Sequence, residues 1–135
     1  MPLKVAIFED DIEIADLLKE MMESREYTAA SYYNFKDKSW IDSDVVLGDF
    51  RNNIIPFLTL KQECLKNGIP LIAISGAETT HTPQLLKPFS IEDLQMIIQE
   101  TLIEYQKNNS NKKTEKTNKT EKKESSFFSF LKKGS

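Results

Sequence analysis

Five side chains with reactive or ligating groups each follow directly on a short apolar run. Glu9 and Asp10 come after LKVAIF, Asp49 after VVLG, Ser75 after PLIAI and Lys87 after Leu85-Leu86. The set combines carboxylates, a hydroxyl and an amine. Carboxylates brought close together repel one another, which raises their pKa values and costs stability, so a cluster of them calls for a cation. An amine and a hydroxyl beside such a cluster suit the oxygens of an anionic group. Asp11, third in the acidic run, suits a helix start, where the dipole favours negative charge.

The elements that must position these groups can be read from the same runs. Uninterrupted apolar stretches of this length predict strands buried on both faces, as in a parallel sheet. The carboxyl ends of such strands form the rim where open α/β sheets hold their ligands. Ile14, Ala15, Leu18, Met21 and Met22 make a helical stripe over 12–25, and 28–32 predicts a weaker strand at the sheet edge. Residues 34–42 predict one or two turns pinned by Phe35 and Trp40. A helix is expected over 55–67, with Pro56 in its first turn and Gly68 closing it. Leu60, Cys64, Phe57 and Leu65 are expected to face the sheet. The last helix is predicted over 90–105, opened by a Ser90/Asp93 capping box and striped by Ile91, Leu94, Ile98, Leu102 and Tyr105. This alternation predicts a parallel sheet with helices on both faces.

VAIFEDD at 5–11, DVVLGD at 44–49, IPLIAIS at 69–75 and LKPF at 86–89, in this order, resemble the receiver domain of two-component response regulators. The resemblance covers about residues 3–105. It implies a flavodoxin-like, doubly wound five-stranded parallel sheet of order 2-1-3-4-5. It also implies that Asp49 is the phospho-acceptor and that Mg²⁺ is bound by Asp10, Asp49 and the backbone carbonyl of Arg51. Glu9 then acts chiefly through a metal-bound water, while Lys87 and Ser75 contact the phosphoryl oxygens. Phosphoryl transfer to a carboxylate needs such neutralisation of charge on the moving group, and Mg²⁺ takes few carboxylates and keeps waters. The implied donor is a histidine kinase or phosphotransfer protein, and the implied output is protein–protein contact. On this reading the chain is a signalling phospho-acceptor, limited to self-catalysed phosphotransfer and autodephosphorylation, and not a turnover enzyme. The family usually has a cis bond before the proline that follows the lysine.

The sequence departs from the family at several points. Only eight residues, 76–83, separate Ser75 from the fifth strand, whereas a crossover carrying a helix needs about ten to twelve or more. The fourth helix is therefore expected to be absent or reduced to a turn, leaving apolar sheet surface in want of a cover. Gln84 occupies a position that is usually aromatic and part of the conformational switch. The proline that usually comes four residues after the acceptor arrives late, in FRNNIIP. Arg51 and Ala77 stand where receivers tune phosphoryl lifetime. These departures keep a second reading open: a phosphorylation-independent interaction module of receiver shape, acting through its tail or its uncovered sheet face.

Composition narrows the remaining classes. The 135 residues suit one domain. No apolar stretch approaches a membrane span, the N-terminus is unlike a signal peptide, and a lone Cys64 permits no internal disulfide, so a cytoplasmic home is expected. Cys64 reads as a buried core thiol and His81 as a surface residue. Asp49-Phe50-Arg51 breaks the Asp-x-Asp of haloacid-dehalogenase phosphatases and of Toprim nucleases. Four glycines, none in a phosphate-cradling loop, disfavour a nucleotide site.

Residues 1–105 carry 9 Lys/Arg against 18 Asp/Glu, net −9, and 106–135 carry 9 Lys against 3 Glu, net +6. That asymmetry argues against a nucleic-acid-binding face on the folded part and puts any anion-seeking surface on the tail. The tail interleaves glutamates and carries no recognition helix, which argues against a DNA-binding output. The chain divides into a domain at 1–105, a linker at 106–126 with no apolar residue and expected to be disordered, and a terminal docking motif at 127–135. Phe127, Phe128, Phe130 and Leu131 crowd the last of these, with a partner or the domain itself as candidate receptor. Two following lysines give at most weak contact with an anionic membrane.

Overall fold

Val5–Phe8, Val45–Leu47 and Leu71–Ile74 are buried along their whole lengths, as strands covered on both faces must be. A computed structural model describes residues 2–114 of the chain. It contains β1 (Lys4–Phe8), α1 (Ile12–Glu23), β2 (Thr28–Ser31), a 3-10 turn at Lys38–Asp42, β3 (Val45–Asp49), α2 (Phe57–Asn67), β4 (Leu71–Ser75), β5 (Gln84–Leu86) and α3 (Ile91–Thr114). All strand pairs are parallel and the order is β2-β1-β3-β4-β5, the expected flavodoxin-like sheet.

The two faces of the sheet have separate cores. Ala15, Leu18 and Met22 of α1 and Leu94 and Ile98 of α3 cover one face. Leu60 and Cys64 of α2, with Trp40, cover the other. Cys64 is buried, as expected, and burial pushes its thiol up to about 12. Trp40 meets Phe8 edge-on with ring centroids 5.6 Å apart, and Phe35 packs on both, so these aromatics pin the 3-10 turn. Helix ends follow local chemistry. Asp11 caps α1, accepting from the Glu13 and Ile14 N–H groups, and Ser90 and Asp93 form the reciprocal box at α3. Gly68 ends α2 at φ +68°, a left-handed conformation that glycine adopts without strain.

Gly48 matters for a different reason: a Cβ there would meet Leu60 Cδ2 at 2.6 Å. Its missing side chain lets α2 lie close over β3, one residue before Asp49.

Three expectations about the helices need correction. Leu65 is 73% exposed and does not face the sheet; the buried stripe of α2 is only Leu60 and Cys64. Pro56 sits at the N-cap of α2, just ahead of its first turn. α3 runs on to Thr114, nine residues into the stretch expected to be linker, because extending a helix already anchored by packing requires no new nucleation. Residues 115–135, including the predicted docking motif, lie outside the described residues.

The segment 76–83 contains no helix, so the crossover from β4 to β5 is made by a loop alone. His81 of that loop is buried, contrary to the expectation of a surface residue. Its Nε2 lies 2.8 Å from the Leu71 carbonyl and its ring meets Phe57 edge-on at 5.1 Å. It thus covers part of the sheet face that the absent helix leaves bare.

Candidate functional site

Parallel register brings the strand ends level. Phe8 pairs with Gly48, Asp49 with Ile74, and Ser75 with Leu86. The Lys87 N–H continues the ladder by donating to the Ser75 carbonyl at 2.8 Å. The residues that follow β1 and β5, and those that end β3 and β4, therefore emerge on one edge. Glu9, Asp10, Asp11, Asp49, Arg51, Asn53, Ser75 and Lys87 line a cleft of about 530 Å³ there. Every site residue expected from the sequence is in it.

One carboxylate oxygen from each of Glu9, Asp10 and Asp49 lies within 4.8 Å of the others. Lys87 Nζ stands 3.8 Å from Glu9 Oε2 and 4.0 Å from Asp49 Oδ1. Glu9 is 3% exposed. Its Oε1 accepts from the Asp11 N–H at 3.1 Å, while Oε2 finds no hydrogen-bond partner among the described residues. Burial, reinforced by the Asp49 charge, pushes the Glu9 carboxyl up to about 7, against the pull of the Asp11 N–H and Lys87. Burial also raises Asp49, although Lys87 and the Arg51 N–H oppose it. Asp10 goes the other way, held below the usual carboxylate range by the Asn53 N–H. A buried carboxylate oxygen without a partner, facing two further carboxylates, fits a hard cation that takes oxygen ligands.

Ser75 is 3% exposed, and its Oγ accepts from the Ala77 N–H at 3.2 Å, so the hydroxyl is held at the mouth of β4. The Lys87–Pro88 peptide is cis, as is Thr82–Pro83. Asp11 serves as the N-cap of α1, as expected, while still lining the cleft.

Two asparagines were not singled out from the sequence. Asn52 Nδ2 donates to the Phe8 carbonyl at 3.3 Å, and its Oδ1 accepts from Ile54 and Ile55 N–H at 2.8 and 2.9 Å. Asn53 donates its backbone N–H and its side-chain amide to Asp10 Oδ2, at 3.0 and 2.9 Å. Together they tie the loop after β3 to the end of β1. Paired asparagines directly after a strand are a turn signal, but nothing local says which carboxylate they bind.

Gln84, where the family usually carries an aromatic, is also engaged. Its Oε1 accepts from the Thr79 N–H at 2.8 Å and the Thr79 hydroxyl at 3.0 Å. The amide therefore braces the shortened crossover loop.

No protein-family model matches the sequence, and no curated protein matches it either. Solved structures do. The chemotaxis response regulator CheY4 of Vibrio cholerae aligns at 17% identity and TM-score 0.63, over 75% of this chain and 99% of that one. A CheY-like receiver domain protein from Methanospirillum hungatei JF-1 aligns at 20% identity and TM-score 0.66, over 80% and 99%. The receiver domain of a sensor histidine kinase from Pseudomonas aeruginosa PAO1, with a magnesium ion coordinated in its active-site cleft, aligns at 18% identity and TM-score 0.66, over 76% and 98%. The chain thus has the receiver fold, with a reduced number of helices.

Proposed function

We propose that this chain is a receiver that accepts a phosphoryl group on Asp49 from a histidine kinase or phosphotransfer protein and signals through protein–protein contacts. The observation that supports this most directly is the placement of Lys87 Nζ within 4.0 Å of both Asp49 Oδ1 and the buried Glu9 carboxylate. An amine so placed lies beside the attacking oxygen, where it can meet the charge of an incoming phosphoryl group.

In the reaction, an Asp49 carboxylate oxygen attacks phosphorus. The new P–O bond forms as the P–N bond to the donor imidazole breaks, and the imidazole leaves with the bonding pair. Lys87 holds one phosphoryl oxygen by charge, and the Ser75 hydroxyl donates to another. Asp10, Asp49 and the Arg51 carbonyl would hold a Mg²⁺ ion directly and Glu9 through a water, and such an ion would neutralise the remaining charge. Hydrolysis of the acyl phosphate then restores the carboxylate.

The test is incubation with Mg²⁺ and a small phosphodonor such as acetyl phosphate, read by intact mass. A phosphate-sized gain that Asp49→Asn abolishes is the expected result. No gain under conditions that label an ordinary receiver overturns the proposal and leaves the second reading, a receiver-shaped interaction module that works without phosphorylation. Gln84 is the observation that favours that alternative. Bound to Thr79, it provides no aromatic ring to follow the Ser75 hydroxyl.

A further inference from the structure

The absent crossover helix leaves more surface bare than His81 covers. Between the C-terminal half of α2 and the outer face of α3 runs a cleft of about 930 Å³, at the upper end of the range that encloses organic ligands. Its apolar lining comes chiefly from Leu65, Ile69, Pro70, Leu71, Pro83 and Ile97. The Tyr105 hydroxyl donates to the Gly68 carbonyl and bridges the two walls. Thr101 also lines the cleft; it is 7% exposed, and its Oγ1 has no hydrogen-bond partner among the described residues. A buried, unpaired hydroxyl in an apolar cleft points to an occupant that brings its own polar group, such as a peptide backbone.

We propose that the occupant is the Phe127–Leu131 segment of this same chain, seated between α2 and α3 in place of the missing helix. Three features select it. First, its chemistry matches. Phe127, Phe128, Phe130 and Leu131 supply large apolar side chains for the lining, and their backbone supplies a partner for Thr101.

Second, its charge matches. Glu100 and Glu104 stand on the α3 wall, and Lys132 and Lys133 follow the aromatic cluster directly.

Third, its tether fits. Twelve residues separate Thr114, the last of α3, from Phe127. Twelve residues reach at most about 40 Å. Measured back along the helix axis from Thr114, Asn108 is about 9 Å away and Ile97 about 26 Å. The cleft face of α3 lies between those two residues. A short tether that can reach the cleft presents its segment at an effective concentration in the millimolar range, which favours docking in cis over capture of another chain's tail. This inference is independent of the chemistry at Asp49.

The experiment uses the full chain with Phe128 replaced by the photo-crosslinker p-benzoylphenylalanine, irradiated at high dilution and mapped by mass spectrometry. The expected result is monomeric adducts on 61–71 and 97–108, lost when Leu65→Glu is added. Leu65 is 73% exposed, so that substitution alters the cleft without opening a core. In the unlabelled protein, Phe127→Ser/Phe128→Ser/Phe130→Ser should shift the amide resonances of the same two stretches and leave those of β1 and β3 in place. Adducts on another face, adducts found only in dimers, labelling indifferent to Leu65→Glu, or unmoved resonances would each overturn the proposal.

Discussion

Asn53 grips one oxygen of Asp10 twice, its backbone N–H at 3.0 Å and its side-chain amide at 2.9 Å from Oδ2. This holds the Asp10 carboxylate, one oxygen of which lies within 4.8 Å of oxygens of Glu9 and Asp49, and it fixes the loop after β3 to the end of β1. Removal of the amide leaves the backbone contact but loosens the carboxylate. Partners of this kind typically change metal affinity by about 10- to 100-fold. Asn53→Ala should therefore weaken Mg²⁺ binding by about tenfold in a calorimetric titration, with little change in fold by circular dichroism. Unchanged affinity would mean that the Asn53 amide does not position a metal ligand.

Glu9 predicts a pH dependence of defined sign. Its folded pKa, about 7, lies above the ordinary 4.5, so the folded state binds the proton more tightly than the unfolded chain does. Ionised Glu9 therefore costs stability above pH 7, and the cost fades as pH falls from about 7 towards 4.5. Without divalent cations, Glu9→Gln should raise stability at pH 8 by roughly 1–3 kcal/mol and change little near pH 4.5. Mg²⁺ should raise the melting temperature more at pH 8 than at pH 5.5, because protons and the cation compete for the same cluster. Thermal melts at the two pH values, with EDTA or with excess Mg²⁺, measure both effects.

His81 supplies the opposite trend in a neighbouring window. Burial holds its imidazole below the ordinary 6.5, so its contribution is complete above pH 6.5 and is lost as pH falls through the folded value. His81→Ala should remove this acid-side decline. It should also destabilise the protein at pH 7.5 by about 1–3 kcal/mol, since the Leu71 carbonyl loses its partner and the Phe57 ring loses a neighbour. Denaturant titrations of both proteins at pH 5.5 and 7.5 separate the two contributions; parallel pH profiles would rule out a titrating His81.

Much of the site was legible in the chain before any fold was known. The strands that deliver Glu9, Asp10, Asp49 and Ser75 to the rim are apolar runs, two leucines precede Lys87, and in a parallel sheet every run ends on the same edge. The strand order itself came from the resemblance to receivers; with it, Glu9, Asp10, Asp49, Ser75 and Lys87 could be placed together across nearly eighty residues. The absent fourth helix was legible too, because chain length is a geometric limit: eight residues between strands cannot hold a helix and still return.

The partners of these groups were not legible. Asn53 and Asp10 are 43 residues apart, and their bond depends on the path of a loop with no periodicity to read. His81 reads as a surface residue among threonines, yet the missing helix opens a space that its imidazole fills. Leu65 reads as a sheet-facing residue, but the buried face of α2 is too narrow to include it. Hydrophobic periodicity reports which side of an element meets the core, and so it locates the strands and helices along the chain. Which polar atom meets which, and what fills the room left by a lost element, depends on how separately encoded segments pack in space, and that only the tertiary structure decided.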